Sequence, residues 1–242
     1  MAASPASLTV VVPLHDEAPG VTALATAMRR FVEETARDRA VDLVLVDDGS
    51  TDGTDELLRE DFEGLPHQVV RHDDNRGLTA ALCTGLRSAR GELIAWLDSD
   101  LTYHPDILEV LARAVDDGAD VAIASCYHPD GQVEGVAGFR RFLSSLASRA
   151  YQRLTGTPIH TFTCMVRVYR RPVLDACAPR HQGFLGVTEV LLAAIQRGYK
   201  LVEVPSTLNR RRRGQSKMRV MSVGVGHLGL FMKLLLRRPA GA

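Results

Sequence analysis

The chain has little of several features that mark specialised classes of protein. Only 5% of its 242 residues are aromatic, and its 29 Lys and Arg residues balance its 29 Asp and Glu residues. A balanced charge excludes a chain-wide attraction to nucleic acid or to an anionic membrane, so any such affinity has to come from a local patch. Hydrophobic residues make up 45% of the sequence, which is typical of a globular core, and the length fits one large α/β domain.

Paired metal-binding residues are also missing. The four cysteines form no CxxC pair, and the eight histidines form no HxH or HxxxH pair, which argues against a structural zinc site. Scattered cysteines favour reduced thiols, and the first residues have neither the basic nor the long apolar part of a signal peptide. We therefore expect a cytoplasmic protein.

No hydrophobic run is long enough to predict a membrane span. The nearest candidate, residues 220–236, is interrupted by His227 and Lys233 and is flanked by arginines. As a helix it would extend about 25 Å, short of the ~30 Å hydrocarbon core of a bilayer. We predict that residues 219–242 form an amphipathic helix on the inner face of the membrane; packing on the protein and a homodimer interface are the alternatives.

Strand and helix patterns alternate along the first half of the chain. Apolar, often β-branched runs predict strands at residues 8–12, 42–46, 67–72, 92–97 and 120–125, and segments with apolar residues at helical spacing separate them. This alternation predicts an α/β fold with a mostly parallel central sheet flanked by helices. Residues 130–160 have a helical pattern, and β-rich segments resume after Cys164.

Polar motifs follow three of the predicted strands: PLHDE at residues 13–17, DDGSTD at 47–52 and DSD at 98–100. Ligands of doubly wound sheets bind beyond the carboxyl ends of the strands, so we expect these motifs to form one site.

Asp98 and Asp100 are the strongest candidates for metal ligands in this expected site. Residues i and i+2 of an extended segment face the same side, and two carboxylates there repel unless a cation neutralises them. Hard oxygen ligands suit Mg²⁺ or Mn²⁺, which in turn bind diphosphate oxygens. The alternative is that one of the two acids caps the following turn and the other is exposed to solvent.

Residues 98–102 also spell DxDxT, the nucleophile motif of a class of phosphatases. That motif normally follows the first strand, whereas here it follows the fourth and comes after the acid pair Asp47–Asp48. Its place therefore favours the metal site.

The other two motifs suit a nucleoside. Asp48 could accept hydrogen bonds from a nucleobase, Gly49 allows close backbone approach, and Asp52 suits a helix cap. Glu17, in the loop that also holds Pro13 and His15, could accept from ribose hydroxyls. A capped turn and an ordinary polar loop are the alternatives.

The segment RRRRGQSK, residues 210–217, carries the local positive charge. We interpret it as a loop that closes over a diphosphate, with Gly214 as its hinge. A solvated basic loop and a nucleic-acid patch are the alternatives. No aromatic residues are interleaved with the arginines, so we expect no nucleic-acid partner.

Six segments occur in the order VVPLHDE, VLVDDGSTDGT, NRGLTAALCTGLRSARGELIAWLDSDLTYHP, TFTCMVRVYRRPVL, TEVLLAAIQRGYKLVEVP and RRRRGQSKM. In this order they resemble the family 2 inverting glycosyltransferases, and within them the polyprenyl (dolichyl) phosphate mannosyltransferase and glucosyltransferase branch. The resemblance covers about residues 8–220. It implies a GT-A fold, a nucleotide diphosphate sugar donor of the GDP-mannose or UDP-glucose class, Mg²⁺ or Mn²⁺, and a polyprenyl phosphate acceptor at the membrane face.

The resemblance also implies roles for individual residues. The implied substrate-binding residues are Pro13, His15, Glu17, Val46, Asp48, Leu97, Asp98, Ser99 and Ser145. The implied metal ligands are Asp98, Asp100 and Thr102. The implied catalytic residues are Asp100, Arg141, Glu189, Arg211 and Lys217, where Arg141 would receive the acceptor phosphate and Glu189 would be the base for a hydroxyl acceptor.

We expect residues 1–218 to form one domain, with a nucleotide-binding half at about 8–125 and a helical and β acceptor half at about 126–218. Three positions depart from the family pattern: His15-Asp16 replaces an aromatic residue and Asn, Thr102 replaces a frequent Gln, and Cys126-Tyr127 stands where an Arg is expected. The departures at Thr102 and Cys126 keep one alternative open, a non-catalytic nucleotide-sugar-binding protein. The lack of a predicted membrane span favours another, transfer to a soluble or natural-product acceptor.

Overall fold

The structure is a computed structural model that describes residues 5–135, 138–211, 227 and 229–231. Its strands are β1 (Leu8–Leu14), β2 (Val41–Asp47), β3 (His67–Arg71), β4 (Leu93–Trp96), β5 (Val121–Ser125), β6 (Gln132–Val133), β7 (Arg167–Arg170), β8 (Leu201–Pro205) and β9 (Thr207–Leu208). Its helices are α1 (Ala18–Thr35), α2 (Thr54–Asp61), α3 (Leu78–Ser88), α4 (Ile107–Asp116), α5 (Gly138–Thr155), α6 (Arg171–Cys177) and α7 (Phe184–Gln196).

Seven strands form the central sheet in the order β3-β2-β1-β4-β7-β5-β8. The β1–β2, β1–β4, β2–β3 and β5–β8 pairs are parallel, whereas β7 runs antiparallel to both of its neighbours. The short strands β6 and β9 form a separate parallel pair. The predicted α/β fold with a mostly parallel sheet is therefore confirmed.

Two hydrophobic clusters cover the two faces of this sheet. Alternate residues of β1 enter opposite clusters, because successive side chains of a strand point to opposite faces: Val10 and Val12 pack with α1 and α4, and Val11 packs with α3 and α7. The sheet is thus buried on both faces, and its carboxyl edge is the place where polar loops gather.

The first strand is longer than predicted, because Pro13 does not end it. Pro13 pairs with Val46 of β2, and β1 continues to Leu14. The pairing of β1 with β4 ends at Val11, so β1 has one strand neighbour at Pro13 and the missing N–H breaks no ladder on the other side.

The two predicted halves share the same sheet. Strand β7 follows the acceptor-side helix α5 in the chain, yet it lies between β4 and β5. Its Arg167 is fully buried and donates to the carbonyl oxygens of Phe162 at 2.7 Å and Val187 at 2.8 Å. The arginine therefore joins the loop before β7 to helix α7.

Most of the predicted C-terminal helix lies outside the described residues. Its described residues are helical, and they pack on α5 through a 2.7 Å hydrogen bond between His227 Nδ1 and the Tyr151 hydroxyl. The rings of Phe231 and Tyr151 lie 4.4 Å apart. Within the described ranges, no helix is both long and apolar enough to cross a membrane.

Candidate active site

The loops after β1 and β2 interlock at the carboxyl edge of the sheet. The backbone N–H of Asp16 donates to Ser50 Oγ at 2.8 Å, and that of Glu17 donates to Thr54 Oγ1 at 2.9 Å. In return, Asp16 Oδ1 accepts from the N–H of Thr51 at 2.9 Å. Asp16 has a φ of 45°, a left-handed conformation that side-chain-bearing residues seldom adopt. These bonds hold the predicted nucleoside residues Pro13, His15 and Glu17 beside the second loop.

Asp48 is occupied by donors of its own chain. Its carboxylate accepts from the N–H of Arg76 at 2.9 Å and of Gly77 at 2.7 Å, and His72 Nδ1 lies 2.6 Å from Oδ1. Asp48 is only 3% exposed. This geometry gives Asp48 the task of fixing the loop that precedes α3, and its contact with a nucleobase stays a prediction.

The preceding acid, Asp47, is equally enclosed. Its Oδ1 accepts from the N–H of Ser50 at 3.0 Å, and Arg71 lies 3.5 Å from its Oδ2. Gly49 has a φ of 71°, and a Cβ built there would lie 2.5 Å from the backbone carbon of Asp74. The close backbone approach expected at Gly49 is therefore made to another loop of the same chain.

Two other predicted substrate-binding residues belong to the core. Val46 and Leu97 are fully buried, each in one of the hydrophobic clusters. Because their side chains face the interior, only their backbone atoms could contact a donor. The substrate contacts predicted for Val46 and Leu97 therefore stay predictions that concern backbone atoms.

The chain turns sharply directly after β4. Asp100 Oδ1 accepts from the N–H of Thr102 at 3.0 Å and from its hydroxyl at 2.8 Å. Leu101, between them, has a φ of 56°, the second left-handed non-glycine residue among those described. Such strain clusters at functional sites. The hydroxyl of Thr102 thus steadies Asp100, and its role as a metal ligand stays a prediction.

Asp98 is electrostatically unsatisfied, whereas Asp100 accepts hydrogen bonds from Thr102. Burial, and next the neighbouring charge of Asp100, raise the pKa of Asp98 to about 8. None of the described residues donates a hydrogen bond to Asp98, although the charge of Arg211 opposes the rise. Two carboxylates held this close need a cation to remain ionised together.

Arg211, near the start of the basic segment, supplies part of the positive charge that the acids need. One Arg211 nitrogen donates to both carboxylate oxygens of Glu17, at 2.6 Å to Oε1, and another lies 3.7 Å from Asp100 Oδ2. Arg211 therefore joins the ends of β1 and β4, as predicted for one site at this edge. Lys217, its predicted partner, lies outside the described residues.

The two carboxylates also fit a divalent ion. Mg²⁺ is usually held by one or two carboxylates and completes its shell with water and substrate phosphates. The described ranges hold no group of three or more His, Cys, Asp or Glu side chains arranged to bind an ion by themselves. Asp98 and Asp100 would thus hold an ion jointly with a ligand.

The predicted acceptor residues lie on α5. Arg141 is exposed and Ser145 is half-buried. The hydroxyl of Tyr127, one of the residues found where an Arg was expected, donates to the carbonyl oxygen of Arg141 at 3.3 Å, and its N–H donates to Thr161 Oγ1 at 3.2 Å. Tyr127 thus connects the end of β5 to α5.

Glu189 is engaged elsewhere. Its carboxylate accepts from the N–H groups of Arg180 at 2.7 Å and His181 at 2.8 Å, and nothing in the described structure brings it into contact with Asp98 or Asp100. Burial acts to raise the pKa of Glu189, but the hydrogen bonds from Arg180 and His181 outweigh it and lower the pKa. A lowered pKa is the wrong direction for a general base that works near neutral pH.

Sequence reasoning missed Glu203 of β8. Its carboxylate accepts from the N–H groups of His160 at 2.9 Å and Thr161 at 2.8 Å, and so fixes the loop before β7 beside Tyr127. The available signal was a single acid inside the apolar run KLVEVP. A half-buried acid in such a strand requires partners.

A mostly parallel sheet with paired acids after its fourth strand is the architecture of the GT-A glycosyltransferases. Glucosyl-3-phosphoglycerate synthase of Mycobacterium tuberculosis, solved with Mn²⁺, UDP-glucose and phosphoglyceric acid, shares the fold with a TM-score of 0.73 at 15% identity. The similarity covers 98% of this chain and 82% of that one. The chain therefore has the GT-A fold, as the resemblance implied.

A family model described as glycosyl transferase family 2 matches residues 9–177, and the chain belongs to that family. It is 34% identical to the polyprenol monophosphomannose synthase of Mycolicibacterium smegmatis over 86% of this chain and 80% of that protein. It is 28% identical to the dolichol-phosphate mannosyltransferase of Pyrococcus furiosus over 88% of this chain, but it spans only 59% of that relative's length. The expected resemblance to the polyprenyl phosphate branch is therefore confirmed.

Proposed function

We propose that the chain transfers a hexose, with inversion, from a nucleotide diphosphate sugar of the GDP-mannose or UDP-glucose class to a polyprenyl phosphate. The observation that carries this proposal is the convergence of Glu17, Asp100 and Arg211 at the carboxyl edge of a GT-A sheet. The similarity to a polyprenol monophosphomannose synthase supports the choice of acceptor.

The acid pair after β4 would hold the metal. Asp98 and Asp100 fit Mg²⁺ or Mn²⁺, which when bound would neutralise charge on the diphosphate. The raised pKa of Asp98 supports this role, because a carboxylate that lacks donors gains most from a nearby cation.

The basic segment would stabilise the departing nucleoside diphosphate. Arg211 already pairs with two carboxylates at the site, and its planar guanidinium suits phosphate oxygens equally well. In the proposed reaction Arg211 leaves Glu17 and Asp100 for the diphosphate, and Lys217 adds a second positive charge. Glu17 is then released to accept from the ribose.

A phosphate acceptor suits the remaining geometry better than a hydroxyl acceptor. A polyprenyl phosphate is an anion at neutral pH, so its attacking oxygen needs positioning rather than deprotonation. Exposed Arg141, with Ser145 one turn further on α5, would position it. The lowered pKa of Glu189 and its bonds to the 180–181 turn disfavour the base that a hydroxyl acceptor would require.

A thermal-shift panel of GDP- and UDP-sugars, with and without Mn²⁺, tests the donor. The cognate donor should raise the melting temperature only with the ion, because a ligand that binds the folded state stabilises it. Arg211→Gln should weaken that shift, whereas Arg210→Gln, at the exposed neighbouring arginine, should leave it nearly unchanged. No shift with any donor would support a chain that does not bind nucleotide sugars.

Turnover then tests the acceptor. The cognate donor should glycosylate a short polyprenyl phosphate faster than soluble acceptors that carry hydroxyl groups alone. Faster transfer to a soluble hydroxyl acceptor would overturn the proposed acceptor. Metal-dependent donor binding without transfer to any acceptor would favour a non-catalytic protein.

A further inference from the structure

Helix α5 exposes large apolar side chains. Phe139 is 69% exposed, Phe142 is 62% exposed and Leu146 is 51% exposed. Of the described residues, only Val110 on α4 is another large hydrophobic residue exposed to this degree, at 50%. Contiguous exposed apolar residues mark contact sites, whereas single ones are ordinary.

The three residues form one face of the helix. Their spacing of three and four positions places them above one another, and the exposed Arg149 and Arg153 continue the same face towards the C-terminal end. We call these five positions the α5 stripe. Its first half is apolar and its second half is basic.

The opposite face of α5 is the one that packs on the protein, and it contains small polar residues. Ser144 forms a 2.6 Å hydrogen bond with Thr163, and buried Ser148 accepts from the N–H of Phe162 at 3.2 Å. Surface helices of globular proteins normally bury apolar residues and expose polar ones. The first half of α5 has the reverse pattern, and its phenylalanines take no part in this chain's core.

Charge decides among the candidate partners. Helix α5 contains four arginines and no Asp or Glu, although the chain as a whole carries no net charge. A basic helix with Phe and Leu on one face is typical of binding to the surface of an anionic bilayer. A second copy joined through the same stripe would bring like charges together, which disfavours a homodimer at this face.

We propose that the α5 stripe docks the enzyme on an anionic phospholipid surface, with Phe139, Phe142 and Leu146 in the interfacial region and Arg149 and Arg153 at the lipid phosphates. The inference rests on the proposed function and deepens it. Arg141 and Ser145 lie on another face of the same helix, so docking would bring the proposed acceptor-phosphate residues to the level of the lipid headgroups.

Vesicle flotation tests the proposal. The unmodified chain should float with vesicles that mix phosphatidylglycerol and phosphatidylcholine, and should float less with phosphatidylcholine alone or at high salt. Phe139→Ser combined with Phe142→Ser should lower the partition coefficient on the order of tenfold or more, because two buried aromatic side chains are lost. Val110→Ser, the matched control at another exposed apolar residue, should bind like the unmodified chain.

A second pair of variants separates charge from apolar contact. Arg149→Gln combined with Arg153→Gln should weaken binding to the anionic vesicles and flatten its dependence on salt, while leaving the weak binding to phosphatidylcholine unchanged. Equal binding of the Phe variants and the unmodified chain would overturn the proposal. Concentration-dependent dimerisation abolished by the Phe substitutions, without vesicle binding, would overturn it in favour of a second copy.

Two further measurements keep the result interpretable. Hydrogen exchange of the unmodified chain should slow at residues 138–149 when anionic vesicles are added, and no slowing there would contradict the proposal without any variant. The metal-dependent thermal shift by the donor should be the same in the Phe variants. If the Phe variants lose vesicle binding but keep the thermal shift, the substitutions act on the α5 stripe alone, which supports the proposal. If no protein shows the shift, the proposed function is contradicted instead.

Discussion

Two pairs of acids lie at the carboxyl edge of the sheet, one at the end of β2 and one after β4. The hydrogen-bond donors around the two pairs differ. Asp47 ends β2 and Asp48 follows it; both are buried, and Asp48 is held by His72 and two backbone N–H groups. Asp98, after β4, receives no hydrogen bond from the described residues, and its pKa is raised to about 8. Asp48, which has donors, shapes the site, whereas Asp98, which has none among the described residues, is the carboxylate that a cation would stabilise most.

The largest expected effect comes from the acid pair after β4. Asp100→Ala should lower kcat by about 10²–10³-fold, because the charge on the departing diphosphate is then poorly neutralised. The melting temperature should change little. Asp106→Ala, at a half-buried acid six positions later that pairs with Arg30 and His104, is the matched control and should keep its activity. Sugar transfer is the measurement, and full activity of the Asp100 variant would show that the metal assignment is wrong.

A substitution at Asp48 should change the stability of the protein. Both carboxylate oxygens of Asp48 accept hydrogen bonds, whereas Asn has a single acceptor oxygen. Asp48→Asn should therefore lower the free energy of unfolding by about 1–3 kcal/mol. Chemical denaturation measures the change, with Asp73→Asn, an exposed acid of the adjoining loop, as the control. Unchanged stability together with weaker donor binding would instead favour the predicted contact between Asp48 and a nucleobase.

A pH series sharpens the contrast. In the metal-free folded chain the pKa of Asp98 is raised to about 8 from an ordinary value of 3.8, so the folded state holds a proton that the unfolded state releases. The contribution of Asp98 to stability is therefore complete below about pH 4 and is lost as the pH rises through 8.

Asp98→Asn stays neutral at every pH. With a chelator present, its melting temperature relative to the unmodified chain should rise between pH 5 and pH 8, by about 2–4 °C for each kcal/mol relieved. Donor with Mn²⁺ should stabilise the unmodified chain more than the variant. A difference in melting temperature that is constant with pH would contradict the raised pKa.

The smallest expected effect extends the comparison to a base. Burial lowers the pKa of His227, which is hydrogen-bonded to Tyr151 and, unlike His72, has no carboxylate partner among the described residues. The neutral form is therefore favoured in the folded state, and its contribution is present above the ordinary pKa of 6.5 and lost as the pH falls below it.

Tyr151→Phe should cost about 0.5–1.5 kcal/mol at pH 7.5, and the cost should be the same at pH 6.5, because the lowered pKa keeps buried His227 neutral there. Denaturation at the two pH values is the measurement. A cost that already shrinks at pH 6.5 would contradict the lowered pKa of His227.

Local patterns were sufficient to predict the α/β class and the place of Asp98 and Asp100. An apolar run predicts a buried strand, and the acids that follow it mark the end of that strand at the edge of the sheet. The antiparallel β7 could not be predicted, since its place between β4 and β5 depends on contacts far apart in the chain. Buried Arg167 escaped notice for the same reason: the carbonyl oxygens that accept from it belong to other segments.

At the site, residue types were easier to predict than their tasks. Asp48 was predicted to contact a nucleobase, but the N–H groups of Arg76 and Gly77 that occupy its carboxylate come from a different loop. Glu189 was proposed as a base, yet backbone groups at residues 180–181 lower its pKa. Both outcomes depend on donors that a linear motif does not contain.

The ion pairs of Arg211 have a consequence for the choice of metal complex. A bare divalent ion that approaches Asp100 meets a guanidinium that already neutralises part of the acid charge, and the two cations repel. An ion that arrives bound to a nucleotide brings phosphate oxygens that can take the guanidinium in exchange. We therefore expect the enzyme to discriminate against free cellular metal ions and to admit them chiefly as nucleotide complexes.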